Sequence, residues 1–552
     1  RKHVVLYRVR SPVVAPTELF TQEEQTALEP HFGNANSPVF VLTNLPEVVK
    51  GALFARYSRS AKSVRRLFLD EFLGTVTDVG KKHDRRGPGE DRAERLYSRV
   101  FNEYGDDSVS QLGGAHIACE GISNVLTKIL ERGRLMAYLE QSTRYVPYTD
   151  RPNNQWKYVI PSEITGEADY SNFKTTLDRA FEIYTKWIES AQQYFRERHP
   201  QATDDPDSVY KAVIRAKALD TLRGLLPAAT RSNVGVYGSG QAYEALLLKM
   251  QGHPLSEVRE VATLMLPELR KVIPAFLQRV DREDRGIRWS NYLANCERAT
   301  RELTGRLAIS SCEEKNKEVT LSDFDPDGEI KVVAAALYPG SNLSHSQLLR
   351  IARTMSTADR IQVLRTYVGS RHNRRHRPGR AFEHATYAFD VLSDYGAFRD
   401  LQRHRILTID WQDLGTLHGH TRPEAIEDIG ALSDWNRVMD EASDLCKLLT
   451  DRYTSLTAQY AVSMAYRIRF YMKMNAREAM HVIELRTAPQ GHPAYRRVCQ
   501  KMHRLIADQA GHKALAAAMS FVDHSEVELE RLESERANAR RRTISKESAG
   551  NS

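Results

Sequence analysis

Through most of this chain apolar residues recur every three or four positions, which is the spacing of helices that bury one face. Early examples are Ala52-Leu53-Phe54-Ala55 and then Val64, Leu67, Phe68 and Phe72. The same spacing predicts helices over 95–104, 122–138, 170–198, 208–225, 241–251 and 255–280. It returns over 344–354, 357–367, 434–453, 457–485 and 494–510. Strand-like runs are few: 4–7, 39–42 and the alternating 385–391. Polar breaks punctuate the pattern. Residues 81–92 are charged around Gly87-Pro88-Gly89 and read as a surface loop, and 148–156 are rich in Pro and Asn. A charge run at 281–285 and a turn-rich tract at 321–329 bracket the expected domain boundary, and a short apolar run at 330–337 opens the second half. Pattern alone gives a mainly helical protein with some β.

The chain's 552 residues exceed one ordinary core, so two to four domains are expected. Hydrophobic residues make up 41% and charged residues 27%, the balance of a globular chain in water. No apolar run reaches membrane-spanning length, and the start, Arg1-Lys2-His3, lacks the apolar core of a signal peptide. Five scattered cysteines without a Cys-x-x-Cys fit a reducing, cytoplasmic setting and argue against structural zinc. A net charge of +8 suits small anions and is weak evidence for nucleic acid. The densest basic run, 371–380, reads equally as an exposed loop or a polyanion contact, and the charged tail 526–552 is assigned no chemistry.

Chemistry concentrates at Arg403-His404-Arg405, where fixed donors stand in an otherwise apolar run. The surroundings recur. Leu130-Glu131-Arg132-Gly133-Arg134-Leu135 answers Leu401-Gln402-Arg403-His404-Arg405-Ile406. Leu248-Lys249 with Gln251-Gly252-His253-Pro254 answers Leu485-Arg486 with Gln490-Gly491-His492-Pro493. Matched pairs in the same order indicate an internal duplication into two large units rather than a solenoid. His253 and His492 sit in Gly-His-Pro turns that need no chemistry to explain them.

Arg403-His404-Arg405 with Glu383-His384 before it, then Asn475-Ala476-Arg477 and Leu485-Arg486, resembles the signature of the flavin-dependent thymidylate synthases. That resemblance spans about 330–520, and a weaker one covers about 50–280. It implies an α+β fold present twice, each copy with long helices around a small antiparallel sheet. The copies would occupy 1–300 and 320–525. The implied reaction is reductive methylation of dUMP or a related uracil nucleotide, with FAD as cofactor and NADPH and methylenetetrahydrofolate as co-substrates. The resemblance assigns Arg403, His404, Arg405, Asn475 and Arg477 to FAD. It assigns Ser142, Arg144, Arg223 and Arg486 to the nucleotide. No side chain is assigned as catalytic and no metal is implied, because the cofactors carry the hard chemistry.

The two copies depart from the signature in opposite ways. In the second, the signature serine is Asp413, Ser-x-Arg becomes Asp413-Leu414-Gly415, and Gln459 falls where another arginine belongs. A carboxylate there repels a phosphate. The first keeps Ser142-Thr143-Arg144 and Arg223 but has Gly133 for the histidine, Gly238-Ser239-Gly240 for Asn-x-Arg, and Lys249 for the last arginine. One half thus retains phosphate residues and the other flavin residues, so a site shared between them is expected, in a dimer imitating the family's tetramer. Two alternatives stay open. One is an inactive descendant that binds nucleotide or RNA, or serves assembly, motivated by the basic run and tail. The other is a flavoenzyme with a different pyrimidine acceptor, motivated by Asp410 and Asp413.

Overall fold

In the computed structural model, residues 18–73, 111–307 and 317–526 are described, apart from positions 36, 38, 59 and 204. The expectations for 4–7, 81–92, 95–104 and the tail beyond 526 lie outside those residues. The chain is α+β and is built around two small antiparallel sheets. Strands β1 (Gly114–Ser123), β2 (Met136–Glu140) and β3 (Arg231–Ser239) form one sheet in the order β1-β3-β2. Strands β4 (Val319–Phe324), β5 (Thr386–Asp394), β6 (Thr408–Trp411) and β7 (Arg467–Asn475) form the other, in the order β4-β5-β7-β6.

Leaving aside β4, the second sheet repeats the first in connection and register. Ser123 pairs with Arg231 and Gly114 with Ser239; Asp394 pairs with Arg467 and Thr386 with Asn475. Each of these strands runs directly into a helix, and a polar side chain caps the turn by accepting an orphan N–H. Ser123 caps α1 (Asn124–Leu130) through Leu126 N–H at 3.0 Å, and Ser239 caps α4 (Gly240–Gln251) through Ala242 N–H at 3.3 Å. Asp394 caps α6 (Tyr395–Gln402) through Ala397 N–H, and Asn475 caps α8 (Ala476–Arg486) through Glu478 N–H, both at 2.9 Å. The remaining helices used below are α2 (Glu167–Arg198), α3 (Asp207–Leu222), α5 (Arg288–Arg306), α7 (Leu432–Arg452) and α9 (Pro493–Asp508).

The halves meet about a local twofold axis. Ala228 N–H donates to Val462 O at 2.8 Å and Met464 N–H to Leu226 O at 2.9 Å; Ala229 to Tyr460 and Ala465 to Gly224 repeat the exchange, both at 3.1 Å. Gly224 allows the approach, since a Cβ there would meet the Trp435 ring at 2.8 Å. Beside the axis lies a buried ion cluster. Arg399 donates to Glu140 at 2.7 Å, and Lys128 reaches Glu140 at 3.1 Å and Glu131 at 2.6 Å.

Five expectations are corrected. Region 122–138 is not one helix but the end of β1, then α1, a turn and the start of β2. Region 457–485 contains β7, whose Ile468, Phe470, Met472 and Met474 are buried in strict alternation. Helix-favouring Arg, Met and Lys side chains masked that period, and pairing with β5 overrides their propensity. The 321–329 tract carries β4 before its turn, and 330–337 is a helix. The expected 255–280 helix ends at Arg270 and resumes as a short 3-10 turn at Pro274, because Pro disfavours helix in the residue before it. Residues 39–42 make only an isolated bridge, Phe32 to Leu42.

Candidate functional site

Helix α3 ends in Asp220-Thr221-Leu222-Arg223, and α6 runs on into Asp400-Leu401-Gln402-Arg403. In each, the carboxylate lies three residues before its arginine, on the same helix face. The fold turns these two ends toward each other. Asp220 pairs with Arg223 at 3.2 Å and with Arg144 at 3.1 Å, all in the first half. Asp400 pairs with Arg403 and, at 3.4 Å, with Arg486 from the end of α8. The two groups share one field: burial opposes the charge on Asp400, but Arg403 and Arg486, joined by Arg223 and Arg144 from the first half, hold it well below the carboxylate range. His492 Nε2 from the second half stands 3.7 Å from Asp220.

Four guanidiniums therefore face Asp220 and Asp400, while a third carboxyl, Asp394, lies under Arg223 and is pushed up by burial. Burial also opposes the charge on Asp220, yet His492, Arg144 and Arg223 bring its pKa to about 2. His492 is itself held to about 3 by burial and the neighbouring arginines, so at neutral pH the guanidiniums are what keep Asp220 ionised. His404 is also neutral. Burial first, then Arg486, drives its pKa well below the usual value, and Arg486 Nε donates to its Nε2 at 2.9 Å. Two buried donors, Arg223 Nη2 and Arg403 Nε, have no partner among the described residues. Positive charge in excess with donors unspent is an anion cradle.

Of the sequence-assigned residues, Arg144, Arg223, Arg403, His404 and Arg486 come together here. Ser142 stands beside them, its hydroxyl accepting the Arg144 N–H at 3.3 Å. Asn475 and Arg477 lie at the opposite end of α8 from Arg486. Asn475 Oδ1 is spent on the helix cap, and Arg477 Nε donates to Pro378 O at 3.0 Å. Arg405 is exposed and lines a cavity together with Gly133 and Trp411. Between the ends of α8, His404, Glu478 and His481 bring three ligand-type atoms within 4.8 Å of one another. Arg486 donates to His404, and Arg377 donates to His481 Nδ1 at 2.8 Å, so both rings are occupied as acceptors beside guanidiniums. Such surroundings disfavour a cation.

Asp220, Asp400, Glu478 and His481 were not singled out from sequence. The Asp-x-x-Arg spacing shared by Asp220–Arg223 and Asp400–Arg403 was the available signal. Glu478 has its own consequence. Burial raises its pKa from 4.5 to about 7, against the pull of Arg377 and Arg477. Between those values the folded state holds a proton that the unfolded state has lost, so this group erodes stability as pH rises from about 4.5 to 7. Glu478→Gln should therefore gain stability relative to the parent as pH climbs, levelling off above about 7, in urea titrations across that range.

The basic run 371–380 is a loop pinned by Arg371, which is buried against Glu484 with both contacts at 2.6 Å. Asp413 is held by Arg301 at 2.8 and 3.1 Å and by the Ser455 hydroxyl at 2.9 Å; Asp410 pairs with Arg132. Among the described residues, no helix is long and apolar enough to cross a membrane.

A family model described as thymidylate synthase complementing protein matches residues 53–275 and 320–510, one segment in each half. A UPF0159 protein of Chlamydia pneumoniae is 37% identical over 523 residues, covering 94% of this chain and 98% of that protein. A flavin-dependent thymidylate synthase of Mycobacterium sp. (strain JLS) is 28% identical over 181 residues, covering 32% of this chain and 67% of its own. A crystal structure of a UMP/dUMP methylase from Streptomyces cacaoi, bound with 5-Br dUMP, aligns with a TM-score of 0.28 at 20% identity. It covers 36% of this chain and 94% of that one, a likeness too slight to decide anything.

Proposed function

The chain belongs to the thymidylate synthase complementing protein family, and on that premise we propose that it methylates a uracil nucleotide reductively at one composite site. The observation that carries the reading is the cradle itself: Arg144 and Arg223 from one half, Arg403 and Arg486 from the other, around Asp220 and Asp400. Each half alone supplies only part of it.

In this reading Ser142, Arg144 and Arg223 take the phosphate, and Arg486 faces the pyrimidine, where fixed positive charge stabilises charge developing on the ring oxygens. Neutral His404 accepts from Arg486 and so fixes the plane of that guanidinium. Arg403, Arg405, Asn475 and Arg477, with His404, would hold FAD. The donor set fits that group: Arg403 Nε is buried without a partner, Arg405 is exposed, and the Asn475 amide N–H₂ is left over from capping. A bound flavin supplies the reducing hydride, with NADPH and methylenetetrahydrofolate as co-substrates. The equivalent positions in the first half, Gly133 and Gly238-Ser239-Gly240, offer no such donors. The purified protein should therefore hold about one flavin per chain, not two, by absorption after desalting. A cytoplasmic homodimer imitating the family tetramer completes the proposal.

The decisive assay is tritium release from [5-³H]dUMP with NADPH and methylenetetrahydrofolate, since a new carbon at C5 must displace that hydrogen. Release that requires added or retained FAD supports the reading. No retained flavin and no release would overturn it in favour of an inactive nucleotide- or RNA-binding descendant.

A further inference from the structure

Arg486 is held on three sides. Its Nε donates to His404 and its Nη1 lies 3.4 Å from Asp400, so two edges of the guanidinium are fixed. The third contact is Tyr495, whose ring centre is 5.4 Å from the guanidinium carbon. That is within the range at which a ring face attracts a cation. Tyr495 is 5% exposed, so little water competes for the contact. Its hydroxyl meets a residue of the other half, where it hydrogen-bonds the Arg144 guanidinium. Burial works against the charge on Arg144, and Asp220, the Tyr495 hydroxyl and Asp400 outweigh it. One phenol thus reaches a phosphate-end arginine with its oxygen and the pyrimidine-end arginine with its ring.

The local sequence delivers the ring to that place. Gly491-His492-Pro493 turns the chain into α9: His492 Nδ1 accepts the Ala494 N–H at 3.1 Å, Pro493 takes the first helical position, and Tyr495 falls in the first turn. Gly491 makes the room, since a Cβ there would meet the Tyr495 ring at 2.7 Å. The first half keeps the turn but not the ring. His253 Nδ1 accepts the Leu255 N–H at 3.2 Å, yet Ser256 stands four residues after Gly252, where Tyr495 stands four after Gly491. Gly252 instead makes room for α5, because a Cβ there would meet Ser290 O at 2.6 Å. That half also carries Lys249 where the second carries Arg486. An ammonium has no plane to orient, whereas a guanidinium acts through a fixed fork. The turn is therefore common to both halves, while ring and arginine occur together in only one.

We infer that Tyr495 is a positioning residue that couples the two ends of the cradle, its ring orienting Arg486 toward the pyrimidine and its hydroxyl holding Arg144 for the phosphate. These roles of the two arginines are the ones proposed above, on which the inference rests. Tyr495 acts through both arginines, so removing one contact at a time separates two kinetic constants. A grip on the phosphate is the same in ground and transition states and shows in KM. An arginine aimed at charge that develops on the ring shows in kcat.

Tritium release from [5-³H]dUMP by the full chain with FAD, NADPH and methylenetetrahydrofolate tests this on Tyr495→Phe and Tyr495→Leu. Tyr495→Phe loses only the hydroxyl, so KM for dUMP should rise about tenfold while kcat keeps its parental value. Tyr495→Leu loses the ring as well, and should add to that rise a fall in kcat of about tenfold. Equal kcat in the two variants, or a parental KM in Tyr495→Phe, overturns the inference. Should Tyr495→Leu fail to fold, as its urea midpoint would show, the KM of Tyr495→Phe decides alone. A parent chain that neither binds nor turns over dUMP overturns the function proposed above and this inference with it. An active parent whose variants match it overturns this inference only.

Discussion

Arg223→Gln should lower dUMP affinity by about 3 kcal/mol, roughly a hundredfold, and Arg486→Gln should lower it by a similar amount. Arg223 belongs to the first half and Arg486 to the second, so equal losses are expected only if one site draws on both. Glutamine is the apt replacement because Gln459 already occupies the counterpart position of Arg223. The substitution removes charge and leaves Asp220 paired with Arg144 at 3.1 Å, so the chain should still fold. Gln459→Ala provides the contrast, with dUMP affinity unchanged. Isothermal titration with dUMP on the three variants reads the result. A loss confined to one half would mean that the cradle is not a shared nucleotide site.

Much of this was legible in the chain, and the reasons differ by element. The long helices declared themselves because α2 and α7 repeat their apolar face over many turns. The duplication was legible because Arg132-Gly133-Arg134 and Arg403-His404-Arg405 keep both position and flanking aliphatic residues. The strands were not, since β7 is written in Arg, Met and Lys and becomes a strand only by pairing with β5. The complementarity of the halves could be read from which residues each had lost. What could not be read was the axis that joins them. Pairing of Ala228 with Val462 and of Met464 with Leu226 across it is a backbone exchange that leaves no periodic trace. Asp413 was legible as a carboxylate hostile to phosphate, but its partner, Arg301, lies 112 positions away on a helix with no obvious tie to it.

Glu140→Gln should destabilise the whole chain by about 3–5 kcal/mol, because Arg399 would stay buried without its counter-charge and Lys128 would keep only Glu131. Breaking the exposed pair Arg132–Asp410 should cost no more than about 1 kcal/mol. The pH dependence follows from the same cluster. Burial opposes the charge on Glu140, but Arg399, Lys128 and Arg403 outweigh it and bring the pKa from 4.5 down to about 2. Its stabilisation is therefore complete above about 4.5 and is lost as pH falls toward 2, where folded and unfolded states bind the proton alike. Urea midpoints should differ widely between parent and Glu140→Gln at pH 7 and converge toward pH 2. A constant difference would place the effect in packing rather than charge. The prediction bears on function because Glu140 belongs to the first half and Arg399 to the second, on the helix that leads into Arg403. The pair that locks the halves together thus also sets where Arg403 meets Arg144 and Arg223. Nucleotide binding in Glu140→Gln should weaken even under conditions where the variant is fully folded.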